Sequence, residues 1–240
     1  MNELAIVDND KYLALKSGAR VLLEIEQELG EPLSPFTLKV QNPSGKDNKW
    51  RLPDGTSMDT ITCVVLYTTL HNVRWIGQVG DGSLPVCKSA DGYTGVGDPG
   101  GNCQICPHSR KGSHPKAKVD PMLRNKRGCD HRRLLVIMCE GEEVPYFISA
   151  PPASLAPLQE WMWKVRQHKP KLPYCHMLTK LKLMQKQKPT THCVVTGEIV
   201  APIMDKDFCK AIDAYAASFQ PVIDAFLEQA GEILMDGTDS

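Results

Sequence analysis

Residues 61–69 read ITCVVLYTT, a run dominated by β-branched, aromatic and aliphatic side chains. Such a run predicts a buried β-strand. Outward from it, further apolar segments predict strands at 36–41, 74–79, 132–139, 144–150, 176–188 and 191–203. Apolar residues at helical spacing predict helices over 10–29, 155–167 and 205–235, and Ser154 is expected to cap the second of these.

Five or so strands with a helix between the later ones match the element order of an oligonucleotide-binding (OB) fold, a small Greek-key barrel. We therefore predict a mainly β, α+β fold of this kind, although other small β-barrels and α+β sheets share the order. The predicted division of the chain is an N-terminal helical segment at 1–35, a barrel at 36–203 with a metal loop inserted at 85–130, and a C-terminal helix with an acidic tail at 204–240.

The predicted metal loop contains four cysteines in a glycine-rich setting: Cys87, Cys103, Cys106 and Cys129. A close C-x-x-C pair with two distant cysteines is typical of a structural zinc site, and the loop has too few large apolar residues to fold by burial alone. A redox pair or a disulfide framework is the competing interpretation. A histidine could also replace one cysteine ligand, and the candidates are His108, His114 and His131.

The remaining cysteines are scattered singly. Of these, Cys63, Cys139 and Cys193 lie in apolar runs and are expected to be small buried side chains.

Charge is strongly segregated along the 240 residues, although 28 Lys and Arg balance 28 Asp and Glu. Residues 103–135 carry nine basic side chains against two acids, and residues 164–188 carry eight against none. Two basic blocks of this kind predict a surface that binds nucleic acid or another polyanion. Alternation in the strand at 176–188 places its lysines on one face, although edge strands also carry lysine to prevent aggregation.

A site for single-stranded nucleic acid needs cations for the backbone and aromatic rings for the bases. The candidate cations are Arg74, Arg132, Arg133, Lys180, Lys182 and Lys186. The candidate stacking rings are Trp50, Tyr67, Trp75 and Tyr93. For each ring taken alone, core packing is the simpler interpretation. Trp161 and Trp163 are expected to pack the helix at 155–167 onto the sheet.

Several stretches resemble the zinc-loop proteins of phages and mobile genetic elements that are thought to bind single-stranded DNA. The resemblance covers roughly residues 36–200, and its most specific parts are C-x-S-x-D-G from Cys87, G-N-C-x-x-C-P from Gly101 and P-P-x-S-L from Pro151. It implies an OB barrel with an inserted zinc finger, a role in replication or recombination alongside proteins of those pathways, and no catalysed reaction. The N-terminal helix and the long C-terminal helix depart from it.

Catalysis is not expected. Asp130-His131 beside the cysteine loop suggests a metal-dependent nuclease, but 107–131 shows no clear helix or acidic cluster, and the sequence has no H-x-E deaminase motif, Walker motif or G-x-S-x-G. The other alternative is a zinc-stabilised phage or plasmid protein that binds a host protein.

The last predicted helix carries a long apolar seam from Phe208 to Ile233, with Pro221 expected to kink it near Ser218. This seam predicts either packing onto the N-terminal helix and the sheet or a homo-oligomer. No stretch approaches the roughly 20 apolar residues of a membrane span, so a soluble, cytoplasmic protein without a membrane partner is expected.

Overall fold

A computed structural model describes residues 48–76, 85–142, 144–187 and 192–218, together with Tyr12. The strand predicted at 36–41, the helix predicted over 10–29 apart from Tyr12, and the last part of the C-terminal seam lie outside the described residues.

The described chain is mostly antiparallel β-structure with few helices. Its strands are β1 (Trp50–Arg51), β2 (Ser57–Met58), β3 (Thr60–Arg74), β4 (Cys87–Ser89), β5 (Thr94–Gly97), β6 (Gly101–Asn102), β7 (Cys129–Cys139), β8 (Tyr146–Ala150), β9 (Met177–Lys186) and β10 (His192–Pro202). Its α-helices are α1 (Leu155–Gln167), between β8 and β9, and α2 (Lys206–Ser218), after β10.

Strand β3 is the centre of the sheet. Along one edge it pairs with β7 from Cys63 to Arg74, and along the other it pairs first with β9 and then, at its far end, with β4. The five long strands therefore lie in the order β8-β7-β3-β9-β10. The sequence predicted separate strands at 61–69 and 74–79. The second prediction was wrong at its start, because β7 continues the pairing without a break as far as Arg74 and Trp75 lies beyond the strand.

Both faces of β3 and β7 are covered where the strands are most apolar, at 63–66 and 134–139, which explains why these stretches are buried continuously instead of alternating. One face packs against α1, through a core that includes Val65, Ile137 and Trp161. The other packs against α2 and Tyr12, through a core that includes Val64, Val136 and Ile212. Cys63, Cys139 and Cys193 are buried as predicted, since each lies in a covered strand.

Helix α1 has the predicted bounds, and its buried side chains are Leu158, Trp161 and Val165. Trp163 does not pack on the sheet as predicted, because its side of the helix faces solvent and 58% of the residue is exposed. Ser154 precedes the helix but makes no side-chain cap bond, since its hydroxyl accepts the backbone N–H of Val195 at 2.9 Å.

Gly197 in β10 lies directly under the ring of Trp161. A Cβ added at Gly197 would lie 2.6 Å from ring carbon Cγ of Trp161, which is fully buried and cannot move aside. We expect Gly197→Val to destabilise the fold by about 1–3 kcal/mol, the usual cost of overpacking a core. Urea denaturation measures this change. Val200→Ala, in the more exposed part of the same strand, is the control and should change the unfolding free energy by less than about 1 kcal/mol.

Helix α2 begins after Asp205, whose Oδ1 accepts the backbone N–H groups of Asp207 and Phe208 at 2.9 Å each. Phe208, Ile212 and Tyr215, the first part of the predicted seam, are buried against the sheet, and Tyr12 packs on Phe208 with ring centroids 6.0 Å apart. The described half of the seam thus belongs to the core of its own chain. Self-association through the rest stays a prediction, as does the kink at Pro221.

No helix among the described residues is long and apolar enough to cross a membrane.

His71 gives the fold a specific pH dependence. The ring lies in the covered sheet beside Ser149, with 3.3 Å between Nε2 and the Ser149 hydroxyl oxygen. Burial, and then the nearby Arg132, lower the pKa of His71 to about 3. An unfolded histidine has a pKa near 6.5, so the unfolded chain binds a proton below that pH while the folded chain does not. Stability is therefore complete above about pH 6.5 and falls as the pH drops toward 3.

We expect the unfolding free energy of the wild type to lose about 1 kcal/mol more than that of His71→Gln between pH 7.0 and 5.5, the range before carboxylates titrate. Urea denaturation at both pH values measures the difference. Parallel losses in the two proteins would show that His71 is not the group responsible.

Candidate zinc loop and nucleic-acid surface

A narrow ribbon of β4, β5 and β6 extends the sheet from the end of β3. Cys87 lies at the start of β4, and Cys103 directly follows β6. In it Cys87 pairs with Gly97, and Gly95 pairs with Gly101. The turn after β4 is built on Asp91, whose Oδ1 accepts the backbone N–H groups of Tyr93 at 2.7 Å and Thr94 at 2.8 Å. These hydrogen bonds, that of Thr94 foremost, lower the pKa of the Asp91 carboxyl.

The motif C-x-S-x-D-G follows from this turn. Ser89 donates a hydrogen bond of 3.0 Å to the same Asp91 oxygen. Gly92 has a φ of +75°, and a Cβ there would lie 2.9 Å from the Cβ of Leu70 in β3. Only glycine fits both the left-handed backbone and this close approach. The turn that this motif forms therefore leads β5 back along β4 in the antiparallel direction, with Cys87 at the start of the ribbon.

The four loop cysteines converge on one region. Cys87 in β4 and Cys129 in β7 are the register partners of Arg74 on its two sides. A Cβ added at Gly95 would lie 3.1 Å from the sulfur of Cys87 and 3.5 Å from that of Cys103, so two sulfurs approach a position that only glycine leaves open.

The thiol of Cys129 lies close enough to the other three cysteines for their charges to act on it. Burial raises the pKa of Cys129 to about 12, and the thiols of Cys103, Cys87 and Cys106 add to the shift, in that order. All nine cysteines are free, so the disulfide interpretation finds no pair in this structure. Four thiols are the ligand set of a structural zinc site. Among the described residues, however, no three of these sulfurs all lie within 4.8 Å of one another, so zinc binding by them stays a prediction.

The knuckle itself is a turn. The backbone N–H of Cys103 donates to the Tyr93 carbonyl at 2.7 Å, and the side chain of Asn102 accepts the N–H of Gln104 at 2.8 Å. These bonds fix the start of the C-x-x-C pair against β5. Two of the histidines considered as substitute ligands use the ring atom Nδ1 in other contacts. Nδ1 of His114 accepts the backbone N–H of Lys116 at 3.2 Å, and Nδ1 of His131 lies 2.9 Å from the guanidinium of Arg127.

The segment between the second and fourth cysteines is held by backbone hydrogen bonds more than by burial. The N–H groups of Gly112 and His114 both donate to the Lys126 carbonyl, at 3.0 and 3.3 Å. Ser113 Oγ lies 2.8 Å from the His108 carbonyl oxygen and accepts the N–H of Gly128 at 2.9 Å. Its larger apolar side chains face solvent, and Val119 is 81% exposed. A loop without a core of its own depends on an added constraint such as a metal.

We call the exposed part of this segment, residues 110–126, the basic loop. Six of its basic side chains are exposed, and none forms an ion pair with an acid in the described part of the chain: Arg110, Lys111, Lys116, Lys118, Arg124 and Lys126. Asp120, the acid within the loop, uses its carboxylate to accept the Met122 N–H at 2.9 Å. The sequence pattern counted these residues in a basic block but did not single them out as site residues.

Most of the cations that the sequence predicted to bind nucleic acid already contact other groups of the protein. Arg74 donates to the Asp98 carbonyl at 2.7 Å, Arg132 lies 3.5 Å from Asp130, and Arg133 donates to the Thr68 hydroxyl at 3.2 Å.

On β9 the predicted alternation is present from Met177 to Lys182, with Leu181 buried and the lysines partly exposed. Lys182 pairs with Glu198, and Lys180 lies opposite the same Glu198 in the register, so the stripe is partly neutralised. Lys186, near the strand end, is exposed.

The candidate stacking rings separate clearly by exposure. Trp50 is completely buried in the core under α1, where no base can reach it. Tyr67 packs partly against the core under α2, and Trp75 is half-buried. Tyr93 is 57% exposed and lies beside the zinc knuckle. Of the four rings, Tyr93 is therefore the one that the structure presents most openly for stacking.

Gly97 provides a local test of the loop. Its φ is +115°, and a Cβ there would collide with the backbone carbonyl oxygen of Val86. We expect Gly97→Ala to separate β4 from β5 and to weaken zinc binding by more than about tenfold, while the two apolar cores stay folded. Gly101→Ala is the matched control, because Gly101 has a φ of +73° but open space around its Cβ position. It should cost only the roughly 1–2 kcal/mol of a left-handed residue. Competition with a chromophoric chelator measures both affinities.

A second group of residues could hold a metal ion. The ligand atoms of Cys175, His176 and Asp213 all lie within 4.8 Å of one another. Sequence reasoning missed this group, because Asp213 lies far along the chain from the adjacent Cys175 and His176 and no familiar motif connects them.

Comparison with known proteins adds no relative: no family model, curated protein or solved structure matches this chain.

Proposed function

We propose that this protein binds single-stranded DNA without catalysing a reaction, and acts in replication, recombination or strand protection. The observation that carries the proposal is the basic loop, which concentrates six exposed Lys and Arg side chains on a segment held between cysteines. Lysine and arginine that contact phosphates supply most of the non-specific affinity for nucleic acid. The exposed ring of Tyr93, next to the knuckle, adds a surface for stacking a base.

The order of the long strands supports an OB-like barrel as the scaffold. The order β8-β7-β3-β9-β10, with α1 between β8 and β9, is the order in which a five-stranded Greek-key barrel of this type is built. In such a barrel the long loop between the first two strands borders the ligand-binding face. Here that connection runs from β3 to β7 and contains the zinc loop.

Zinc at Cys87, Cys103, Cys106 and Cys129 is part of the proposal. The ion would hold both ends of the basic loop and the ribbon β4–β6 at one point, so the loop's cations are positioned before DNA arrives. Preorganisation of this kind reduces the entropy lost on binding. The ion would act on DNA only through the loop, as a structural element with four protein ligands and no open position.

The test is a fluorescence titration of labelled oligothymidylate and a duplex of matched length at two salt concentrations. We expect tighter binding to the single strand, with log affinity falling linearly with log salt. Salt-independent binding, or tighter binding to the duplex, would contradict the proposal. Absence of binding to either would favour a protein partner, and cleavage of the oligonucleotide on addition of a divalent metal would favour a nuclease.

A further inference from the structure

The group at Cys175 and His176 joins the barrel to the C-terminal helix. Both residues lie in the 3₁₀ turn Tyr174–His176 that leads into β9, and Asp213 projects from α2. His176 Nε2 lies 3.0 Å from Asp213 Oδ1, and the sulfur of Cys175 lies 3.8 Å from the same oxygen. One carboxylate oxygen thus faces an imidazole nitrogen and a thiol that come from another part of the chain.

Cys209 brings a second sulfur to this place. It precedes Asp213 by one helical turn on the same face of α2, since residues four apart on a helix are neighbours. Its thiol donates to the Ile203 carbonyl at 3.4 Å, and the Ile203 N–H donates to the His176 carbonyl at 2.9 Å, so Cys209 is tied to the same turn.

We propose that Cys175, His176, Cys209 and Asp213 bind a zinc ion that fastens α2 to the barrel. Thiolate, imidazole and carboxylate are the three kinds of side chain that bind zinc in proteins, and two sulfurs disfavour calcium and magnesium, which prefer oxygen ligands. The two thiols release their protons to solvent as the ion binds.

The site is reachable from solvent and needs little rearrangement. The side chain of Asp213 is 58% exposed and that of His176 is 13% exposed, so an ion can enter beside the carboxylate. Cys175, His176 and Asp213 already converge. As the fourth ligand, Cys209 would turn its sulfur from the Ile203 carbonyl toward them. The site is separate from the zinc loop, and the proposal does not rest on the proposed DNA-binding function.

Metal analysis of the full-length protein tests this inference. The protein is produced in zinc-supplemented medium and purified without chelator. Its zinc content per chain is measured by inductively coupled plasma mass spectrometry. We expect two zinc ions in the wild type and in Cys193→Ser, one in the double variant Cys175→Ser/Asp213→Asn, and one in Cys103→Ser. A wild type with one ion that the double variant retains would overturn the second site and leave the zinc loop intact. A wild type with one ion that Cys103→Ser retains and the double variant loses would support the second site and overturn the zinc loop.

Cobalt substitution keeps the inference testable if the double variant fails to fold. Co²⁺ added to metal-free wild-type protein should give two sets of visible absorption bands, one with the strong charge-transfer absorption of four thiolates and one with the weaker absorption of two. Asp213→Asn alone should alter only the second set. A single tetrathiolate spectrum that saturates at one Co²⁺ per chain would contradict the second site.

Discussion

Cys103→Ser is expected to remove the zinc proposed for the loop and leave the β-sheet folded. A Cβ added at Gly95 would lie close to the sulfurs of both Cys103 and Cys87, so Cys103 lies next to a second predicted ligand. Loss of a direct ligand should weaken zinc binding by more than the roughly 10–100-fold that the loss of a supporting residue costs. The sheet keeps its two apolar cores, neither of which includes a loop cysteine.

Limited proteolysis and thermal unfolding measure the two effects separately. Trypsin should cut the basic loop of Cys103→Ser at least ten times faster than that of the wild type, because backbone without its metal constraint opens readily. The main unfolding transition should move little. Cys193→Ser is the control, because Ser keeps a donor for the contact with Asn48 at 3.1 Å. Unfolding of the whole sheet on loss of Cys103 would show that the loop is not an independent element.

Replacing Lys116, Lys118, Arg124 and Lys126 with glutamine is expected to reduce the salt dependence of DNA binding. All four are exposed in the basic loop. On single strands each phosphate contact contributes about −0.7 to the slope of log affinity against log salt. Four lost contacts should therefore make the slope less negative by about 2.8, with a large loss of affinity at low salt. Zinc content and thermal stability should be those of the wild type.

The matched control removes charge elsewhere. Lys164 and Lys210 are exposed on α1 and α2 and pair with acids of their own helices, Glu160 and Asp207. Lys164→Gln/Lys210→Gln should leave the slope within experimental error of the wild type. An equal change in both variants would mean that overall charge, and not the basic loop, attracts DNA.

Much of the β-structure followed from local pattern. The runs around Val65, Val136 and Val195 are β-branched and bounded by turn residues, and each forms a strand close to where the sequence predicted it. The helix at 155–167 forms where the sequence predicted it, since Leu158, Trp161 and Val165 repeat at helical spacing. Local periodicity determines such elements because burial of one face decides their conformation.

The predictions that were wrong depended on partners far along the chain. Arg74 continues β3 only because β7 pairs with it from 55 positions further on, and Ser154 uses its hydroxyl on Val195 instead of its own helix. Trp163 has a large aromatic side chain of the kind that is usually buried, and only the packing of α1 on the sheet shows that it faces solvent.

The site predictions also separate into those that depend on local sequence and those that depend on partners far along the chain. Spacing predicted the four loop cysteines as zinc ligands, because a C-x-x-C pair and two distant cysteines around a glycine-rich loop are typical of bound zinc, and this stays a prediction. The choice of DNA-binding cations was harder, because a lysine such as Lys182 finds its partner, Glu198, on a different strand. Asp213 could not be connected to Cys175 without knowing that α2 returns to the start of β9.

Photo-crosslinking of oligothymidylate to the protein, with the crosslinked peptides located by mass spectrometry, tests the central claim most directly. The proposal that the zinc-held basic loop binds single-stranded DNA predicts crosslinks at Tyr93 and within residues 110–126, which disappear at high salt and in Cys103→Ser. Crosslinks confined to α1, α2 or β9, and unchanged in Cys103→Ser, would contradict it.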